Sequence, residues 1–271
     1  MNALGAFFLF FALTSSVFAQ SVQSQVEKFL WQRSGKFSIA EIATIQLPTN
    51  TRALQPVQAG KFLELLGNLP SDNYYLVSAD DYSWFAIFSF NPSGYVKDNE
   101  RIDPDSLLES LKEQNRRSEV DRRKLGLKPL TLLGWQIPPH YDITTKRLEW
   151  GTKLSSEGEI TINYTSRVLG RTGVIAATLV ADPLFLERDV DNFHALLRNL
   201  SFVGGQRYEE FRPGDKVAEY GLAALVVGGA AAAAAKAGSG LFKAAGLAVL
   251  GLIAAAFAAL KRIFTGRKQP E

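Results

Sequence analysis

Residues 159–181 read EITINYTSRVLGRTGVIAATLVA, two runs of β-branched and apolar residues joined by Gly170-Arg171-Thr172-Gly173. Runs of this composition favour strands, and glycines at the junction suit a hairpin turn. The strands are predicted over Glu159 to Val168 and Val174 to Ala181. Moving toward the N-terminus, Arg147 to Leu154 and Leu130 to Gln136 carry the same signature. Four strands in near succession imply an antiparallel sheet.

The flanks supply the helices. Asp103-Pro104-Asp105 is the clearest helix start: Asp103 caps free N–H groups, Pro104 fits the first helical position, and Asp105 suits the positive end of the dipole. Leu107, Leu108 and Leu111 then form a core stripe, and the helix is predicted to run to about Lys124. Val57 to Leu66 reads as a short helix stopped at Gly67-Asn68, and Arg188 to Leu200 as a helix ended by Ser201-Phe202-Val203. Ile42 to Leu47 alternates like a strand. Asn73 to Ser78 and Ser83 to Phe90 read as an aromatic-rich hairpin across Ala79-Asp80-Asp81-Tyr82. Gln20 to about Gly35 suggests a short leading helix. The fold class expected is α+β, a largely antiparallel sheet packed by helices, with a transmembrane helix at the C-terminus.

That last element follows from a change of composition. After Gly221 the chain is almost wholly Ala, Gly, Leu and Val, and Ala244 to Leu260 is 17 residues without a charge. At about 1.5 Å per residue it covers roughly 25 Å of a hydrocarbon core about 30 Å thick, with Lys243, Lys261 and Arg262 able to snorkel. Small residues Ala244, Ala248, Gly251, Ala255 and Ala259 share one face, which would let another helix approach closely. An alanine-rich helix also produces such a stripe by chance. The competing arrangement is a helical hairpin with Leu222 to Ala235 as a first span, but Gly228-Gly229 interrupts that run.

At the other end, the apolar stretch from Met1 to Leu13 followed by Val17-Phe18-Ala19 fits a secretory signal peptide cleaved after Ala19. The organisation expected is a signal peptide at 1–19, an extracytoplasmic α+β domain at 20–220, an Ala/Gly-rich juxtamembrane helix at 221–243, a transmembrane helix at 244–264 and a cytoplasmic tail at 265–271. A single pass through a bacterial cytoplasmic membrane leaves the basic residues after Leu260 inside, as the positive-inside rule wants.

The 271 residues include 46% hydrophobic and 21% charged, an ordinary globular composition, and the net charge is only +3. Several of the excess positive charges, Lys261, Arg262, Arg267 and Lys268, sit in the last eleven residues, whereas a nucleic-acid surface needs clustered basic residues on the folded domain, so nucleic acid is not expected as a partner. There is no cysteine, so disulfides and thiolate chemistry are excluded. No phosphate loop, HExxH or GxSxG is present, and no cofactor is expected.

Several words of the sequence resemble a family of uncharacterised bacterial membrane-anchored proteins, a domain of unknown function. They include Gly94-Tyr95-Val96-Lys97-Asp98, Ile102-Asp103, Gly134-Trp135, Leu148 with Trp150, Asn163-Tyr164, Leu169-Gly170-Arg171 and Gly214-Asp215-Lys216-Val217-Ala218. The resemblance spans about Ile42 to Lys243. It implies membrane anchorage and brings no activity or catalytic residue. The run of strands followed by the helix Arg188 to Leu200 also looks like the end of a PsbP-like αβα sandwich.

The residues that could form a site lie at strand ends and turns: Tyr95, Lys97, Asp98, Trp135, His140, Tyr141, Asp142, Glu149, Trp150, Asn163, Tyr164 and Arg171. If they converge, Arg171 could receive an anion, the aromatics could pack a ligand, and Asp142 or Glu149 could serve as a base. Otherwise Arg171 pairs with a nearby carboxylate and the aromatics are core. The two histidines, His140 and His194, read as ordinary packed or surface residues. Arg116, Arg117, Arg122, Arg123 and Lys124, interleaved with Glu119 and Asp121, read as a solvated helix face or a docking surface for anionic lipid or an acidic partner. Two functions follow from this reading: a non-enzymatic envelope module that binds a ligand or membrane partner, or a hydrolase-like envelope enzyme using Asp142 or Glu149 with Arg171.

Overall fold

The computed structural model describes residues 24–228 apart from 67, 69–72 and 125. Ten strands form among the described residues: β1 Lys36–Ile39, β2 Ala43–Gln46, β3 Thr51–Leu54, β4 Tyr75–Ala79, β5 Phe85–Asn91, β6 Thr131–Asp142, β7 Arg147–Ser156, β8 Glu159–Leu169, β9 Val174–Ala181 and β10 Leu200–Phe202. The helices are α1 Pro56–Leu65, α2 Pro104–Lys124, α3 Leu186–Arg198 and the short α4 Leu222–Val226. The α+β class holds, with antiparallel sheets packed by helices.

The four expected strands β6 to β9 make only part of the main sheet. Strand β9 also pairs with β5, from Phe85↔Val180 to Asn91↔Val174, so the aromatic hairpin joins the meander. A seven-stranded antiparallel sheet results, in the order β3-β4-β5-β9-β8-β7-β6. Gly173 permits this junction, since a Cβ there would collide with the carbonyl oxygen of Asn91.

Strands β1, β2 and β10 form a second, three-stranded sheet. Here the helix expected to reach Leu200 stops earlier. It ends at Arg198 with Asn199 as its cap, and Leu200, Ser201 and Phe202 pair with Ile45, Thr44 and Ala43 instead. A strand of three residues is too short for its own periodicity to be legible, and its partner lies more than 150 positions away. Strands β1 and β3, only four residues each, are likewise too short for their own periodicity to show.

Each face of the main sheet carries its own core. On one face Phe37, Ile39 and Ile45 of the small sheet and Phe193, Leu196 and Leu197 of α3 pack against Val77, Phe88, Tyr164, Ile175 and Leu179. On the other, Phe62 and Leu63 of α1 cover Leu54, Leu76, Phe85, Ile87 and Val180. Farther along that second face, Leu107 and Leu111 of α2 cover Leu132, Leu148, Trp150, Leu154 and Val174. The start of α2 is as expected: Asp103 Oδ1 accepts from the backbone N–H groups of Asp105 at 3.2 Å and Ser106 at 3.5 Å.

Among the described residues no helix is long and apolar enough to cross a membrane. The expected signal peptide, juxtamembrane helix beyond 228, transmembrane helix and tail lie outside the described residues.

Candidate functional site

The residues singled out in the sequence do not form one cleft. Tyr95, Asp98 and Tyr141 do come together. Asp98 Oδ2 accepts from the Tyr141 hydroxyl at 2.8 Å and from Lys146 Nζ at 2.9 Å. Burial pushes the Asp98 carboxyl up, but hydrogen bonds from Lys146 and Tyr141 outweigh it, and the group titrates below its ordinary range. Tyr95 stacks on Tyr208 with ring centroids 4.4 Å apart and on Phe211 at 4.3 Å. The backbone of Tyr95 is tied to the 214–218 segment, donating to the Lys216 carbonyl and accepting from Ala218 N–H, both at 2.8 Å. Several words that carried the family resemblance thus meet in one knot.

Arg171 belongs to the same knot. Its Nε and Nη2 donate to the two carboxylate oxygens of Asp215, each at 2.7 Å, and Nη1 reaches the Gly205 carbonyl at 3.2 Å. This is a closed, two-pronged pair. Lys97 is exposed. Trp135 packs beside α2 and donates from Nε1 to the Pro104 carbonyl at 3.0 Å. Asp142 caps its own turn, accepting from Thr144 N–H and Thr145 Oγ1 at 2.8 Å each. His140 is exposed at the edge strand β6.

Glu149 sits on the opposite sheet face from Trp150, beneath α3. Its Oε2 accepts from the Tyr164 hydroxyl at 3.0 Å and meets His194 Nε2 at 3.1 Å. Burial raises the carboxyl, but His194 and the neighbouring hydroxyls bring it below its ordinary range, while burial and the Glu149 charge push the Tyr164 phenol well up. Ser166, opposite Glu149 in register, acts on that charge without an aligned hydrogen bond, and Ser166 Oγ and Glu149 Oε1 both lack a partner. His194 therefore has a specific structural role that its position on the helix did not reveal. Arg171, Asp142 and Glu149 each answer to different partners, so the geometry does not join them as acid, base and anion holder. The basic stretch of α2 behaves as a helix face with internal pairs: Arg116 and Arg117 both bond Glu113.

A groove of about 260 Å³ runs along the β6–β7 turn, the end of α3 and β10, with Lys146, Arg147 and Arg207 at its rim. These cations already have partners. Lys146 bonds Asp98, Arg147 donates from Nη2 to the Leu197 carbonyl at 3.2 Å, and Arg207 lies 3.8 Å from Glu210.

The better candidate lies on the helix-covered face of the main sheet, between the part covered by α1 and the part covered by α2. Strand register places Ser89, Ala176, Arg167 and Leu148 in one cross-strand row, and Ile87, Thr178, Thr165 and Trp150 in the next row on the same face. Ile87 packs under α1, and Leu148 and Trp150 pack under α2. Between them Ser89, Ala176 and Thr178 remain half-buried, although they stand on central strands. Thr165 and Thr178 face each other with hydroxyl oxygens 3.3 Å apart. The Arg167 guanidinium carbon lies 5.3 Å from the Trp150 ring centroid. Asn163, two residues along from Thr165 on this face, keeps its buried Oδ1 without a partner.

Arg167 is the unusual member. Three arginines are buried among the described residues: Arg52, Arg122 and Arg167. Arg52 pairs with Glu27 and Asp80, and Arg122 lies 3.8 Å from Glu119. Arg167, 9% exposed, has no carboxylate partner and no hydrogen bond among the described residues. Burial pulls its guanidinium down to about 10, an effect the nearby Tyr74 and Tyr220 phenols partly oppose. An ionised group in this setting is costly unless something neutralises it.

With this geometry in hand, comparison with known proteins gives one decisive match. The model of DUF2167, described as a protein of unknown function, matches residues 31–261. The chain belongs to the DUF2167 family. No curated protein matches this DUF2167 chain. Among solved structures it is similar to cyanobacterial PsbP (CyanoP) from Synechocystis sp. PCC 6803, at 7% identity and a TM-score of 0.38, over 64% of this chain and 92% of that one. A protein from Bacteroides thetaiotaomicron matches at 9% identity and a TM-score of 0.30, over 63% of this chain and 49% of that one. Both likenesses are too distant to carry an argument about site or function.

Of these residues in the DUF2167 chain, the sequence pattern singles out only Trp150 and Asn163. Arg167, Thr165, Thr178 and Ser89 were missed. A signal was there: along β8, Ile160, Ile162, Tyr164 and Val168 alternate with Thr161, Asn163, Thr165 and Arg167. Such alternation places the polar set on one face, and β8 is buried on both faces, so that set lies inside the protein rather than in solvent.

Proposed function

We propose that this DUF2167 protein is a non-enzymatic binding module held at a bacterial membrane with its α+β domain on the extracytoplasmic side. The observation that carries the reading is a contrast between sites. The carboxylates and cations that could do chemistry are closed on one another, as in Arg171 with Asp215, Glu149 with Tyr164 and His194, and Asp98 with Lys146 and Tyr141. The cleft over β8 and β9 instead presents hydroxyls and a cation without a carboxylate. Such a site is equipped to hold a ligand, but it supplies no base close to its cation.

The membrane half of the proposal is supported by the uncharged run Ala244 to Leu260, the basic residues after it and the signal-like N-terminus. The small-residue face of that run suits a membrane or envelope protein partner. Alkaline phosphatase fused after Leu200 and after Lys268 tests the placement: activity in the first fusion alone is expected, and activity in both overturns the single pass. Crosslinking in intact membranes followed by affinity capture tests the binding role. A discrete partner or co-purifying ligand supports it, and turnover of an envelope substrate by the purified protein overturns it.

A further inference from the structure

We infer that the cleft above β8 and β9 is an oxyanion site, in which the Arg167 guanidinium receives the carboxylate or phosphate of a small ligand. The inference rests on the binding-module reading and names the chemistry its ligand must have.

Three independent features converge on it. Arg167 is buried to 9% exposure without a carboxylate, although the two other buried arginines are each close to one. A guanidinium offers a planar fork of donors that matches carboxylate or phosphate oxygens, so an oxyanion supplies what the fold omits. Beside it in the sheet, the Thr165 and Thr178 hydroxyls have only each other as side-chain partners among the described residues, leaving donor and acceptor capacity for further ligand oxygens. Finally, Ser89, Ala176 and Thr178 are half-buried on central strands, which marks an opening between α1 and α2 rather than a sealed core. The Trp150 ring on the far side of Arg167 holds the guanidinium by a cation–π contact and forms a wall.

The site differs in kind from the groove at Lys146, Arg147 and Arg207. There each cation already has an acceptor, and a ligand would have to displace it. At Arg167 a ligand would displace no carboxylate or hydrogen-bond acceptor of the described residues.

The oxyanion could belong to a free metabolite or to the headgroup of an anionic phospholipid, and the test separates the two. The full-length protein in detergent micelles is titrated calorimetrically with inorganic phosphate and with succinate. In parallel, binding is measured to vesicles of phosphatidylglycerol and of phosphatidylcholine. The variants are Arg167→Gln, Arg167→Lys and, as a control in the groove, Arg207→Gln. The wild type is expected to bind at least one of the anionic probes. Arg167→Gln weakens that binding by roughly 10- to 100-fold, Arg167→Lys weakens it less, and Arg207→Gln leaves it unchanged. Arg167→Gln removes a buried charge and is expected to fold, which its melting curve verifies.

Arg167-dependent binding to phosphatidylglycerol vesicles identifies the source as a lipid headgroup; Arg167-dependent binding of free phosphate or succinate alone identifies it as a soluble anion. Failure of the wild type to bind any anionic probe, or equal binding by Arg167→Gln, overturns the inference. If the anion site fails while crosslinking still captures a partner, the binding-module reading stands without it. Conversion of the bound anion would leave the site intact and overturn the non-enzymatic reading.

Discussion

Arg171 and Asp215 lie 44 positions apart and are joined by two hydrogen bonds of 2.7 Å between guanidinium and carboxylate. The pair fastens the β8–β9 turn to the segment that also embraces Tyr95. Arg171, four positions after Arg167, is therefore structural. The hydrogen bonds from Arg171 and from Arg212 N–H lower the Asp215 carboxyl to about 2. A depressed carboxylate contributes stability that is present above its unfolded value and lost as pH falls through the folded one. Wild-type stability is thus expected to fall between about pH 4 and pH 2, and Asp215→Asn to lose part of that pH dependence. Urea unfolding at a series of pH values checks this; identical slopes in both proteins would show that the pair contributes nothing.

Glu149 anchors α3 to the sheet through His194 and Tyr164. Truncation by Glu149→Ala removes the acceptor shared by the Tyr164 hydroxyl and His194 Nε2 and leaves those two groups only each other, at 3.3 Å. A loss of about 1–3 kcal/mol is expected, read as a lower denaturation midpoint. The double variant Glu149→Ala with Tyr164→Phe should lose less than the sum of the single variants, because the two groups share one interaction.

Gly94 adopts φ +95°, and a Cβ there would meet the Lys216 carbonyl oxygen. Gly94→Ala is expected to cost about 1–3 kcal/mol through strain in the left-handed region, with further loss from displacing the 214–218 segment. Equal thermal stability of variant and wild type would remove the case for this close approach.

Arg167 offers the opposite sign. Burial pulls its guanidinium down to about 10, so the charged form is disfavoured in the folded protein at neutral pH. Arg167→Met, similar in length and without charge, is therefore expected to raise the melting midpoint in the absence of ligand. A fall in the midpoint would mean that Arg167 stabilises the empty fold.

These sites were unequally legible in the sequence. The helix start at Asp103-Pro104 and strand β9 were readable because local chemistry decides them: a cap, a proline, an apolar run between turn glycines. Strand β10 and the pairing of β5 with β9 depend on partners far along the chain, where no local pattern reports them. The residues chosen as site candidates were polar and aromatic groups at turns, and that choice found the knot of Tyr95, Asp98 and Tyr141. It passed over Arg167, which sits mid-strand and becomes exceptional only once burial shows that no carboxylate accompanies it.

Where an anion binds decides most directly whether Arg167 is an oxyanion site. Titration of the isotopically labelled protein with phosphate and with succinate, followed by NMR of backbone amide, arginine Nε–H and tryptophan indole signals, reads that location. Shifts centred on Arg167 and Trp150, with smaller ones at Thr165 and Thr178, are the predicted result. Shifts gathered instead at Lys146, Arg147 and Arg207, or none at saturating anion, would contradict it.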